Sequence, residues 1–137
     1  MEDMRIALAT EDGATISSHF GRAPKFLVVT VRQGQVVGRE LREKPGHIHF
    51  AADPHGGSGH EHQGRHGFDP AAQDRHARMA AVISDCQVLL VRGMGAGAYQ
   101  SMTQAGIRPI VTDLEDVDEA VRAVISGTIV DRPERLH

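Results

Sequence analysis

The chain has 137 residues, 40% of them apolar, a formal charge of −3 and a single cysteine. That length and apolar content suit one domain spanning 1–137 with its own core and no disulfide. The charge argues against a dedicated nucleic-acid binder, and the absence of any signal-peptide-like or membrane-length apolar run makes a soluble, cytoplasmic, monomeric or weakly dimeric protein the expectation.

Met4 to Thr10 (MRIALAT) is short and apolar on both faces, the pattern of a buried central strand. Phe26 to Val31 (FLVVTV) is a second such run, and a turn at Gln33 and Gly34 joins it to Gln35 to Leu41 (QVVGREL) as a β-hairpin. After Glu43 the composition changes. Residues 44–67 (KPGHIHFAADPHGGSGHEHQGRHG) hold six of the nine histidines among turn-forming glycines and prolines, and read as an inserted loop. A helix is expected next, with Asp69 as N-cap and Pro70 in its first position, running to about Ser84. Ala72, His76, Met79, Ala80 and Ile83 share its inward face. Gln87 to Val91 (QVLLV) is a buried strand, and Gly93 to Gly97 opens a second helix that Gly106 stops. Pro109 to Thr112 is a short strand that its proline assigns to a sheet edge. Asp113 is expected to cap a third helix, with Val117, Val121, Val124 and Ile125 inward and Gly127 at its end.

The order β-β-β-α-β-α-β-α implies an α/β fold with a five-stranded mixed sheet, order 3-2-1-4-5, flanked by helices in the three-layer manner of ribonuclease H. In that arrangement strands one, three and four run the same way. The loops that follow them then emerge at one edge, where open α/β sheets bind ligands. These are Glu11 to Ala23, the histidine-rich stretch and the glycine turn at 93–97.

Each of the three has its own chemistry. The first ends in His19-Phe20-Gly21-Arg22, which combines an imidazole metal ligand, a glycine that admits an anion to backbone amides, and a fixed positive charge. The second, Gly93-Met94-Gly95-Ala96, offers free helix N-terminal amides to an anion and a thioether at Met94. Glycines 93 and 95, Ala98 and Asp113 also satisfy a relaxed dinucleotide fingerprint, but the motif follows the fourth strand and no second nucleotide-binding half follows it. The third is His47, His49, His55, His60, His62 and His66, a set suited to weak binding of a divalent nickel, zinc or copper ion. His76 reads as a packed histidine and Cys86 as a small buried hydrophobe. MRIALAT and QVLLV lack the carboxylates that a two-metal nuclease of this fold needs, and no nucleophilic triad stands out, so no enzyme is expected.

Four blocks carry a family resemblance: MRIALAT, SSHFGRAPKFLVV, DCQVLLVRGMGAGAY and QAGIRPIVTD. Together they resemble the dinitrogenase iron–molybdenum cofactor biosynthesis family (NifX and NifB C-terminal-like cluster-binding domains) over about residues 4–126, apart from the histidine-rich insert. The resemblance implies a ribonuclease-H-like fold and a non-catalytic carrier of a metal–sulfur cluster, either iron–molybdenum cofactor or a precursor. It makes His19 the cofactor-associated histidine and metal ligand, with Phe20, Gly21 and Arg22 completing that motif and Gly93, Met94 and Gly95 forming the second loop. It also implies a cluster-assembly or acceptor protein as partner. The competing functions are a histidine-rich divalent-metal buffer and, less favoured, a nucleotide-using enzyme at the glycine turn.

Overall fold

The computed structural model describes residues 3–44 and 70–132, together with 134 and 136. Five strands form one sheet: β1 (Met4–Thr10), β2 (Lys25–Arg32), β3 (Gln35–Glu43), β4 (Val88–Val91) and β5 (Arg108–Val111). Their order is β3-β2-β1-β4-β5. The neighbours of β1 are antiparallel β2 and parallel β4, and β4 pairs in parallel with β5. This is the expected mixed sheet.

Burial explains why β1 is central. Ala7 and Ala9 point into one core cluster while Ile6 and Leu8 point into another on the opposite face, and all four are fully buried. A strand covered on both sides must be apolar at every position, so MRIALAT shows no alternation. Leu89 and Val91 of β4 belong to the first cluster, Val88 and Leu90 to the second.

Three helices cover the two faces: α1 (Pro70–Val82), α2 (Ala96–Gln104) and α3 (Val117–Ser126). Met79 and Ala80 of α1 pack in the first cluster with Ala98 and Met102 of α2, and Ile83 joins them just past the end of α1. Val117, Ala120 and Val121 of α3 pack in the second, with Val124 and Ile125 half-buried against it. His76 is half-buried and Cys86 buried, where desolvation pushes its thiol up to about 12 and keeps it protonated. Among the described residues no helix is long and apolar enough to cross a membrane.

The punctuation departs from expectation at one helix. Asp116, not Asp113, caps α3: its Oδ2 accepts from the Glu119 amide at 2.9 Å, and Asp113 instead pairs with Arg132. Asp118 and Glu119 add negative charge to that first turn. The other end closes on Gly127, whose φ of 76° is left-handed, as expected of a helix-stopping glycine. The hairpin turn likewise has positive φ at Gln33 (53°) and Gly34 (79°), the primed geometry that matches strand twist. The N-cap expected at Asp69 lies outside the described residues.

Both sheet edges are managed. The β3 edge is exposed along most of its length and carries Arg39, Glu40, Arg42 and Glu43, charges that discourage strand addition. At the other edge, the Val111 amide donates to Asp131 Oδ1 (2.9 Å) and the Arg132 amide to Val111 O (2.8 Å), so the C-terminal segment covers β5.

A candidate anion-binding rim

Since β1, β3, β4 and β5 run in one direction, the segments following β1, β3 and β4 leave the sheet at the same edge. The first of these is fixed in place. Asp12 accepts from the amides of Ala14 (2.9 Å) and Thr15 (2.8 Å), and these bonds hold its carboxyl at about 2. Farther along, the Ile16 amide donates to Glu115 O and the Ser17 amide to Ala9 O, both at 2.8 Å, while the Val117 amide donates to Ala14 O at 3.1 Å. The loop is thus tied to its own strand and to the entrance of α3.

The loop then turns through Ser17 to Ala23. Ser17 Oγ accepts from the His19 amide (3.2 Å), and His19 O accepts from the amides of Arg22 (3.1 Å) and Ala23 (3.2 Å). These bonds shape a 3-10 turn over Phe20–Arg22. Phe20 is the anchor. Its ring is buried, 6.1 Å from that of Phe26, leaving His19, Gly21 and Arg22 exposed around it.

One hydrogen bond joins this turn to the glycine segment: the Phe20 amide donates to Gly93 O at 3.0 Å. The expected neighbours are therefore in direct contact. Beyond Gly93, Gly95 is the N-cap of α2 with φ −75° and ψ 154°; it supplies no side-chain cap, and the first turn of α2 contains no acidic residue. The first amides of any α-helix lack partners within the helix and carry the positive end of its dipole. The contrast with α3, capped by Asp116 and followed by two acids, is direct. Of these two helices, the one that begins at the rim has its positive end uncovered by any side chain of its own cap or first turn.

Gly21 and Gly95 are not required by crowding within the chain. A Cβ at Gly21 or Gly95 would meet no atom within 4 Å, and Gly95 has an ordinary φ. Open space beside both allows a ligand to approach the backbone.

The remaining site residues divide. Gly95 and Ala96 are half-buried and Gly93 is buried. Met94 requires a correction: it is only 1% exposed and packs in the first core cluster with Phe20, so it fastens the turn to the core and its thioether is not presented to a cluster. His47, His49, His55, His60, His62 and His66 lie outside the described residues. Among the described residues no three His, Cys, Asp or Glu side chains gather to hold a metal ion. Among the described residues, His19 is therefore a single imidazole and not part of a ligand set.

Two cationic residues were missed in the sequence. Lys44, assigned there to the insert, belongs to the folded body: its amide donates to Pro24 O (3.0 Å), and its side chain is fully buried with Nζ 4.6 Å from the centre of the Phe20 ring. Arg92 is half-buried beside the glycine turn, with Nη1 reaching Ile16 O and Nη2 reaching Glu115, both at 3.5 Å. The sequence signal for both is positional, since each lies next to the end of a strand that points to the same edge.

The sequence profile described as Dinitrogenase iron-molybdenum cofactor matches residues 2–127. The chain belongs to that family. Among its relatives is an uncharacterized protein of Methanocaldococcus jannaschii, 25% identical over 126 residues, which cover 92% of this chain and 89% of that protein. The protein NifY of Azotobacter vinelandii is 26% identical over 111 residues, 80% of this chain and 36% of NifY, so the likeness spans about a third of that longer protein. In fold, the chain is similar to the apo form of the orange protein from Desulfovibrio gigas, with a TM-score of 0.64 at 22% identity, covering 95% of this chain and 93% of that one.

Proposed function

We propose that this chain carries an anionic metal–sulfur cluster on the rim formed by His19–Arg22 and Gly93–Ala96, and delivers it unchanged to another protein. The single observation that carries the reading is the Phe20–Gly93 hydrogen bond, which joins the backbone of the His19–Arg22 turn to the glycine segment leading into the uncapped α2. Family membership supports the choice of cargo, an iron–molybdenum cofactor or an iron–sulfur or molybdenum–sulfur precursor.

The chemistry follows from the parts. Bridging sulfides give such a cluster net negative charge, which suits helix amides, the positive end of α2 and the guanidinium of Arg22. His19 supplies one neutral-donor bond to a metal. One ligand is a weak hold, and weakness suits a carrier that must release its cargo to an assembly or acceptor protein. No step needs a nucleophile or a proton relay. We also read residues 1–137 as one domain of ribonuclease-H-like topology with a histidine-rich insertion at about 44–67, and the protein as cytoplasmic.

The test is anaerobic reconstitution with iron, molybdate and sulfide, followed by desalting and metal and sulfide analysis. His19→Ala is expected to retain less than about a third of the wild-type cluster with an unchanged melting temperature, since its side chain is exposed. Equal retention by both proteins would remove the proposed ligand. No observation among the described residues favours the divalent-metal buffer or the nucleotide enzyme.

A further inference from the structure

We propose that Lys44 is the buried counter-charge of the rim, and that it makes the site select multiply negative metal–sulfur species over bare metal cations. This rests on the carrier reading above and extends it to what the site recognises.

Position comes first. Lys44 directly follows β3 (Gln35–Glu43), at the edge where the loops after β1 and β4 emerge, and its amide bond to Pro24 O holds it there. Its Nζ lies over the ring of Phe20, the residue whose own amide bonds Gly93. The ammonium is therefore one aromatic ring away from the backbone that carries His19 and Gly21. A charge within a poorly polarisable interior is felt over that distance far more strongly than one in water.

Energetics supply the second argument. Lys44 Nζ is buried without a hydrogen-bond partner among the described residues, and the side chain is 0% exposed. A lysine normally extends its head into water. Keeping the charge inside without an anion costs stability, and an apolar residue of equal length would pack the same space at lower cost. The cation–π contact recovers part of that cost, but leaves the three N–H donors without an acceptor among the described residues. Desolvation accordingly lowers the amine to about 8. Arg92 Nε is also buried without an acceptor among the described residues, so a second unsatisfied positive donor lies beside the glycine turn, although Arg92 Nη2 reaches Glu115. An arriving polyanion would relieve both, whereas a bare divalent cation would be repelled by the unpaired charge of Lys44.

The experiment titrates the full-length protein with tetrathiomolybdate, a molybdenum–sulfur dianion followed by its visible absorption, and separately with zinc(II). Lys44→Met should lower tetrathiomolybdate affinity about tenfold or more, raise the melting temperature by about 2–5 °C, and leave zinc affinity undiminished or raised, because a repelling charge is gone. Lys44→Gln, a polar replacement, should show the same loss of dianion affinity, and it keeps the test decisive if the methionine variant does not fold. If wild type binds the dianion and both variants bind it equally well, Lys44 is not the counter-charge, while the carrier reading stands. If dianion and zinc affinity fall together with the melting temperature, Lys44 is a packing residue and the proposal is overturned. If wild type itself does not bind the dianion, both the proposal and the carrier reading fall.

Discussion

Placing an aspartate at the start of α2 should make this protein more stable and less able to bind its cargo. Gly95 is the N-cap of that helix, its φ and ψ suit any residue, and a new Cβ meets nothing within 4 Å. An aspartate there can do for α2 what Asp116 does for α3, whose Oδ2 accepts an amide at 2.9 Å. Replacing glycine by aspartate at an N-cap gains a few tenths of a kcal/mol, and a carboxylate at the positive helix end adds about 0.3–1 kcal/mol. The variant should melt about 2–4 °C higher. Binding moves the other way. At an effective dielectric of about 20, a carboxylate roughly 6 Å from a dianion is repelled by about 5 kcal/mol. Screening by salt and rearrangement reduce this to about 2–3 kcal/mol, or about a hundredfold in affinity. Thermal denaturation and a tetrathiomolybdate titration of Gly95→Asp read the two effects. A stabilised variant with wild-type affinity would show that the end of α2 is not where the anion sits. A destabilised one would refute the assignment of a bare helix terminus.

Two further substitutions test the frame behind the rim. The Asp85 carboxylate accepts from Arg42 Nη1 (2.8 Å) and Nη2 (2.9 Å), which holds it at about 2 against an ordinary 3.8. Asp85→Asn should cost about 1 kcal/mol at pH 7, a figure already discounted because the side chain is 39% exposed. Because the folded value is the lower one, that contribution is full above pH 4 and fades as the pH falls towards 2, so denaturant curves of wild type and variant should converge there. Asp116→Ala should cost about 1 kcal/mol through loss of the cap on α3, read as a lower denaturation midpoint, with tetrathiomolybdate affinity unchanged. A loss of affinity in that variant would mean that the loop bonds to residues 115–117 shape the rim more than its own amides do.

The strands were readable in the sequence because their signal is composition. MRIALAT and QVLLV are apolar at consecutive positions, and only burial on both faces calls for that. Convergence of the first loop and the glycine turn followed from strand direction alone, and the Phe20–Gly93 bond is its structural counterpart. What escaped was set by tertiary packing. Asp113 and Asp116 are both plausible caps by spacing, and the choice was made by Arg132 and by the docking of the loop after β1 on residues 115–117. Met94 sits among glycines that suggest exposure, yet its side chain turns into the core. Lys44 looked like the first residue of a polar insert, because nothing local distinguishes a buried lysine from a solvated one. Its burial depends on Phe20, 24 positions earlier in the chain.

The most direct measurement is a nitrogen-15 amide spectrum of the protein recorded during titration with tetrathiomolybdate under anaerobic conditions. Amide shifts concentrated at residues 19–22 and 93–98 are the predicted result, because those backbones form the rim. Shifts confined to the opposite edge of the sheet, or to the histidines between 47 and 66, would contradict it.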